Sequence, residues 1–241
     1  MRGLDGMSVL VTGAGRGIGL AVTERLAEEG ALVAAADLNE PVACARAAAR
    51  LSGDVTSEED VARLFGEAWD TLDGIDALVL CAGVHWVGPT HEMSAEDFDH
   101  VLAVSARGTF LCCRAALPRM VDRKAGHILT FGSTAAVAGA PGLTAYAAAK
   151  GAVLQITRSI AAEYASIGIR ANCLCPGATD TPLLRELMAD RADPQSFRDA
   201  HPIGRFAEPG EIAGAAAWLL SEDASYMVGA TVMCDGGFTT I

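Results

Sequence analysis

Positive charge is scarce in this chain. Its 241 residues carry 18 Lys and Arg against 30 Asp and Glu, a formal net charge of -12 and a pI near 4.8. That balance argues against nucleic acid or an anionic membrane as a partner. An anionic small molecule is not excluded, because backbone dipoles act locally. Aromatics amount to only 5%. No CxxC pair occurs among the seven cysteines. Their closest spacings are Cys112-Cys113 and Cys173-x-Cys175. The five His do not cluster with the thiols, so neither a Cys nucleophile nor a metal site is expected. Buried thiols in a reducing cytoplasmic setting are. No secretory leader is expected, since residues 1–6 lead straight into a strand-like run. No apolar stretch of membrane-spanning length is free of charge and helix breakers. No linker or repeat divides the chain, so a single domain over 1–241 is expected.

What the chain does have is apolar alternation. Apolar residues make up 51%, and the abundance of Gly and Ala favours helices packed closely on a sheet. Short apolar runs at 7–12, 31–36, 76–81, 127–131, 169–174 and 231–234 read as strands. Amphipathic stretches at 18–29, 58–70, 95–120, 145–164 and 209–220 read as helices. Continuous apolar strands alternating with helices imply an α/β fold with a doubly wound parallel sheet covered on both faces. The segment 42–50 reads as an Ala-rich helix, leaving room only for a short strand before Asp54. The span 185–205 reads as irregular. It is either a surface excursion or a substrate lid, taken over 182–205.

The run Thr12-Gly13-Ala14-Gly15-Arg16-Gly17-Ile18-Gly19 follows the first strand and opens the first helix. Glycines let the backbone turn sharply and approach a pyrophosphate, and the helix end supplies N–H donors. Asp37 ends the second strand. A carboxylate there can accept hydrogen bonds from both hydroxyls of an adenosine ribose and repels a 2′-phosphate, which favours NAD over NADP. The alternative is a helix N-cap at Asp37. Arg16 complicates the choice, because its guanidinium could hold a 2′-phosphate. Asp54 would either accept from an adenine amino group or cap a helix.

Tyr146 and Lys150 stand at i and i+4 on the 145–164 helix and share a face. A phenol is a poor base in neutral water, but a neighbouring ammonium favours the phenolate. The pair could therefore move a proton at a carbinol oxygen. On its own the spacing also suits an ordinary surface pair. Ser133 follows the strand 127–131, where open α/β sheets place ligands.

In order, the chain contains Thr12-Gly-x-x-x-Gly17-x-Gly19, Ser133, Tyr146-x-x-x-Lys150, Asn172-x-x-x-Pro176-Gly177 and Asp235-Gly236-Gly237. On these residues it resembles the compact form of the short-chain dehydrogenase/reductase family, from about residue 7 to 238. The resemblance implies a Rossmann-like fold with a seven-stranded sheet. It implies Tyr146 as general acid/base, Ser133 polarising the carbonyl, and Lys150 on the nicotinamide ribose. Gly13, Gly17, Ile18 and Gly19 would hold the pyrophosphate, with Val55 beside Asp54 at the adenine. Pro176, Gly177, Thr179 and Thr181 would lie at the nicotinamide, Thr181 on its carboxamide.

Two departures from the family pattern stand out. Asn-Ala-Gly after the fourth strand is here Cys81-Ala82-Gly83, which forfeits a hydrogen bond. Val-Asn-x-x-Gly is here Val104-Ser105-Ala106-Arg107-Gly108, which puts the shorter Ser105 where the family's relay Asn stands.

His85, Trp86, Thr134, Ala135, Leu143, Ala178 and Met188 are the expected substrate-pocket residues. They are mostly apolar and call for a small neutral alcohol or ketone. His85 would be either a second acid/base or a residue of the pocket rim. Small residues on several faces of 95–120 and 145–164 suit packing between subunits, and the resemblance implies a homotetramer. Two rivals are an NADPH-dependent 3-oxoacyl-[acyl-carrier-protein] reductase and a non-catalytic dinucleotide sensor or scaffold. An extended-branch epimerase or dehydratase would need a longer chain and a different glycine spacing.

Overall fold

The computed structural model describes residues 1–41, 43–189 and 194–240. Seven strands form one sheet in the order β3-β2-β1-β4-β5-β6-β7, and every pair is parallel. They are β1 Ser8–Thr12, β2 Leu32–Asp37, β3 Ala49–Ser52, β4 Ala77–Leu80, β5 Gly126–Phe131, β6 Ile169–Pro176 and β7 Thr231–Cys234. β1 and β4 are buried throughout, as expected of central strands covered on both faces. Helices α1 (Gly17–Glu28) and α8 (Pro209–Leu220) cover one face. There Val22, Leu26, Ile212 and Leu220 pack on Val9, Val11 and Val33. Helices α2 (Glu58–Leu72), α4 (Gly108–Arg123) and α5 (Thr144–Tyr164) cover the other. There Leu64, Leu111, Met120 and Ile160 pack on Leu10, Leu78 and Ile128. The strand order reverses between β1 and β4, and a doubly wound sheet opens its ligand crevice at the carboxyl ends of such strands.

Three expectations change. The segment 42–50 is not a helix. Residues 43–48 form turns, Ala49–Ser52 pairs in register with Ala34–Asp37, and Val42 lies outside the described residues. Local alanine propensity is weak, and here the edge of β2 outcompetes it. The turns are held because the buried Cys44 thiol donates to the Ala14 carbonyl at 3.2 Å. Second, the helix expected over 95–120 is divided. α3 (Ala95–Leu102) runs into a π-turn at Ala103–Arg107 before α4 begins. This whole run, Ala95–Arg123, is long and apolar enough to cross a membrane by length and composition. Half of its most apolar window is buried within the fold. Third, the span 185–205 is irregular only in part, because α6 (Pro182–Ala189) and α7 (Pro194–Asp199) form helix within it. Within the expected lid, residues 190–193 lie outside the described residues.

Side chains fasten the far edge of the sheet. Asn172 donates to the Met227 carbonyl at 2.8 Å and accepts from the Ala230 amide at 3.0 Å, which fixes the approach to β7. The Arg170 guanidinium donates to the carbonyls of Leu219, Leu220, Ser221 and Ala224. It lies 2.9 Å from the His127 ring. Burial first, and then this cation, push the His127 pKa down to about 4 from an ordinary 6.5. The folded state therefore holds His127 neutral, while the unfolded chain takes up a proton more readily. This contribution to stability is complete above pH ~6.5 and is lost as pH falls from there towards 4. Urea unfolding followed across that interval is expected to show the decline, with a flatter profile in His127→Gln. An unchanged slope in the variant would assign the decline to other groups.

Candidate active site

The first turn after β1 is shaped by what its glycines leave out. Gly13 and Gly17 sit at φ of 68° and 59°, where a side chain is disfavoured. A Cβ on Gly19 would lie 2.0 Å from the Gly13 carbonyl oxygen, and one on Gly13 would lie 2.5 Å from the Ala82 amide. Any larger residue would push the loop off the end of β4. α1 starts at Gly17 with no side-chain cap and no acidic residue in its first turn. Its leading N–H groups thus remain available to an anion.

Asp37 holds this loop from the side. Its Oδ2 accepts from the Gly15 amide at 2.7 Å, and its Oδ1 accepts from the Leu38 amide at 2.7 Å. No helix follows among the described residues, so the N-cap alternative for Asp37 falls away. Asp54 is not a cap either. It accepts from the Thr56 amide at 2.8 Å, while Ser57 caps α2 by accepting from Asp60. Arg16 turns its guanidinium to Glu186 on α6 at 3.1 Å, an exposed pair spanning the loop and that helix.

These groups line a cleft of about 760 Å³. Its wall includes Gly13, Arg16, Gly17, Ile18, Gly19, Asp37, Asp54, Val55, Cys81, Ala82, Gly83 and Thr181. Size, glycine cradle, open helix end and lateral carboxylate together fit an adenine dinucleotide. Cys81 lies at the floor, where burial pushes its thiol pKa well up. No hydrogen bond to its sulfur is seen among the described residues, in keeping with the bond expected to be missing there.

A second, smaller pocket of about 250 Å³ adjoins this cleft and shares Ile18, Cys81, Gly83 and Thr181 with it. Ser133 enters it just beyond β5. Its Oγ accepts from the Ala135 amide at 3.1 Å, closing a short turn. Tyr146 and Lys150 enter from the first turns of α5. Lys150 is almost fully buried, and its ammonium donates to the Phe131 carbonyl at 2.8 Å. The same ammonium lies 5.7 Å from the Tyr146 ring centre. Ser133, Tyr146 and Lys150, separated along the chain, thus share one wall.

Ser105 lies in the π-turn and is fully buried. Its hydroxyl accepts from the Val84 amide at 3.3 Å and donates to the Val84 carbonyl at 3.4 Å. Its own carbonyl accepts from the Thr109 hydroxyl at 2.8 Å. A Cβ built on Gly83 would stand 3.4 Å from both the Ser105 hydroxyl and the Lys150 ammonium. Both groups therefore lie close to the Gly83 backbone.

At the end of β6, the Gly177 amide donates to the Cys234 carbonyl at 3.0 Å. Thr179 donates to the Gly177 carbonyl at 3.1 Å. Thr181 accepts from the Leu184 amide at 3.2 Å, and its methyl group is among the nearest atoms to Gly17. Pro176, Gly177, Ala178 and Thr179 line the small pocket together with Thr134, Ala135, Leu143 and His85.

Two expected pocket residues lie elsewhere. Trp86 packs into the cluster of Val101, Ala106, Ala145 and Ala149 instead. Met188 is outside the lining because Leu183, Leu184 and Leu187 present the inward face of α6. Phe197 and Phe238 complete the wall and were missed in the sequence. They pack on one another and on His201, with Phe206 beside them. The only local hint is Phe238 directly after Asp235-Gly236-Gly237. Phe197 gives none, because its position depends on how α7 folds back.

Comparison with known proteins agrees with this layout. Residues 13–239 match the family described as Enoyl-(Acyl carrier protein) reductase. A 2-(S)-hydroxypropyl-CoM dehydrogenase 3 from Xanthobacter autotrophicus is 40% identical, over 97% of this chain and 96% of its own. A 2,5-dichloro-2,5-cyclohexadiene-1,4-diol dehydrogenase from Sphingobium indicum is also 40% identical, over 100% of both chains. The crystal structure of a levodione reductase superposes with a TM-score of 0.93 at 32% identity, covering 98% of each chain. The chain belongs to the short-chain dehydrogenase/reductase family, as an oxidoreductase acting on CH–OH groups.

Proposed function

We propose that this enzyme interconverts a small neutral secondary alcohol and its ketone with NAD(H), using Tyr146 as the proton-transfer group. The observation that carries the reading is that Ser133, Tyr146 and Lys150 line one small pocket, which shares part of its lining with the glycine-lined cleft. The nicotinamide, when bound, supplies or accepts the hydride. The Ser133 hydroxyl orients the substrate oxygen. In oxidation Tyr146 takes the carbinol proton, and in reduction its hydroxyl returns one. Lys150, anchored on the Phe131 carbonyl, places positive charge near Tyr146 and holds the nicotinamide ribose. Ser105 belongs to the relay that renews the Tyr146 proton through Lys150.

The α1 end and its glycines hold the pyrophosphate. Asp37 takes the adenosine ribose hydroxyls, and Asp54 with Val55 borders the adenine. Cys81, Ala82 and Gly83 flank the nicotinamide half, with Pro176, Gly177, Thr179 and Thr181 opposite. Asp37 sets the preference for NAD, because a 2′-phosphate beside its carboxylate is repelled. Arg16 offers that phosphate little, being engaged with Glu186. The apolar lining suits a neutral substrate, and the relatives are named for hydroxyl-bearing substrates, of which the cyclohexadiene diol is neutral. α6 and α7 form the substrate lid, and the chain works as one unit in a cytoplasmic homotetramer. The second reading is the NADPH-linked 3-oxoacyl-[acyl-carrier-protein] reductase, with which the matched family's description shares the acyl-carrier-protein substrate but not the reaction.

Binding of NADH and NADPH to the purified protein, followed by a panel of secondary alcohols, tests this. NADH preference with turnover is the expected result. NADPH preference would promote the reductase, and tight binding without turnover would favour the sensor. Ser105→Asn is expected to hold or raise turnover, since its amide supplies a donor and an acceptor with longer reach. A clear loss of rate would mean the site has re-formed around serine.

A further inference from the structure

His85 is the polar side chain of the substrate pocket that the reaction above leaves unused. It follows β4 in the connecting stretch Gly83-Val84-His85-Trp86. Val84 and Trp86 pack on the cluster of Val101, Ala106, Ala145 and Ala149. Val84 is further held by Ser105 through both its amide and its carbonyl. His85, between them, is not part of that cluster. It lines the small pocket and is absent from the dinucleotide cleft. Its ring therefore reaches the substrate's space, on a backbone fixed from behind.

Most of the other polar groups already have partners or a role. Lys150 donates to Phe131, Thr179 donates to Gly177, and Thr181 accepts from Leu184. Ser133 and Tyr146 serve the reacting oxygen, which leaves the Thr134 hydroxyl as the rival to His85. Half-buried His85 has no hydrogen-bond partner among the described residues. Around it the pocket is apolar, lined by Leu143, Leu183, Leu187, Phe197 and Phe238. A polar ring left open in such a wall discriminates strongly between ligands that satisfy it and ligands that do not. Burial holds its pKa below the ordinary value, opposed by Glu186 and assisted by Arg16, the charged groups that act on it. The neutral ring offers one N–H donor and one acceptor nitrogen, so it can meet a hydroxyl or a carbonyl.

We propose that His85 binds a second oxygen of the substrate, remote from the reacting carbon, and that the enzyme therefore prefers neutral diols or hydroxy-ketones to simple alcohols. This rests on the alcohol–ketone reading above. The test is steady-state turnover with NAD of cyclohexanol against cis- and trans-1,4-cyclohexanediol, by wild type, His85→Phe, His85→Gln and Thr134→Val. Thermal unfolding confirms that each variant folds, and diol affinity is measured separately by calorimetry.

The expected result is a wild-type preference for one diol of about tenfold in kcat/KM, the size of one neutral hydrogen bond. In His85→Phe the diol-to-cyclohexanol ratio falls about tenfold, with the loss mainly in KM and in diol affinity. His85→Gln, which keeps a donor and an acceptor, restores part of it. An unmoved ratio in His85→Phe, or a collapse in Thr134→Val instead, would overturn the assignment while both alcohols still turn over. Failure of the wild type on every alcohol would overturn the alcohol–ketone reading itself, and this proposal with it.

Discussion

Tyr146→Phe is expected to lower turnover by about 10²–10⁴-fold, the usual contribution of a positioned acid/base group. NADH binding should stay close to the wild-type value. The variant removes one oxygen and keeps the ring. Lys150 keeps its 2.8 Å bond to the Phe131 carbonyl, and Ser133 keeps its turn through the Ala135 amide. Because α5 is anchored through Ala145, Ala149 and Val153, all buried, the pocket wall should not shift. Stopped-flow measurement of turnover beside fluorescence titration of NADH separates the two quantities. Loss of binding with the rate per bound complex preserved would contradict the role given to the hydroxyl.

Asp37→Ala is expected to have two effects. The preference for NADH over NADPH should fall at least tenfold, because the repulsion of a 2′-phosphate is gone. The glycine loop should also loosen. The Gly15 amide loses the carboxylate that accepts it at 2.7 Å, and a bond to a charged acceptor is worth about 1.5–3 kcal/mol. Both affinities are therefore measured together with thermal stability. Asp37→Asn separates the effects, since its amide oxygen can still accept from Gly15 while the negative charge is absent. It should relax the cofactor preference with the smaller loss of stability. Unchanged preference in both variants would sink the ribose assignment.

Much of the fold was legible because its signals are local. Strands of the parallel sheet read as apolar runs, and six of the seven were placed in this way, alternating with helices. The Pro209–Leu220 helix was expected with the ends it has. α5 begins and ends within a residue of its expected span. Tyr146 and Lys150 could be placed on one face from spacing alone, since helical periodicity needs no partner. Where the expectations failed, a partner element made the decision. The alanines of 43–50 favour a helix locally, yet Ala49–Ser52 completes the hydrogen bonding of an otherwise open β2 edge. Helical pattern alone did not show the π-turn at Ala103–Arg107 that carries Ser105 towards Val84.

The substrate pocket was less legible for a related reason. Trp86 and Met188 are apolar and near the site in sequence, but the faces they present were fixed by packing. Trp86 fills the hollow over Ala145 and Ala149, and α6 turns Leu183, Leu184 and Leu187 inward instead of Met188. The sequence by itself determined the alternation of strands and helices, the glycine turn, the Asp37 carboxylate and the helical spacing of Tyr146 and Lys150. Each of these follows from backbone geometry within a few residues. Only the tertiary structure decided which side chains share a cavity. Those contacts join β4, β5, α5, α6, α7 and the segment after β7, and distance along the chain carries no information about which faces meet.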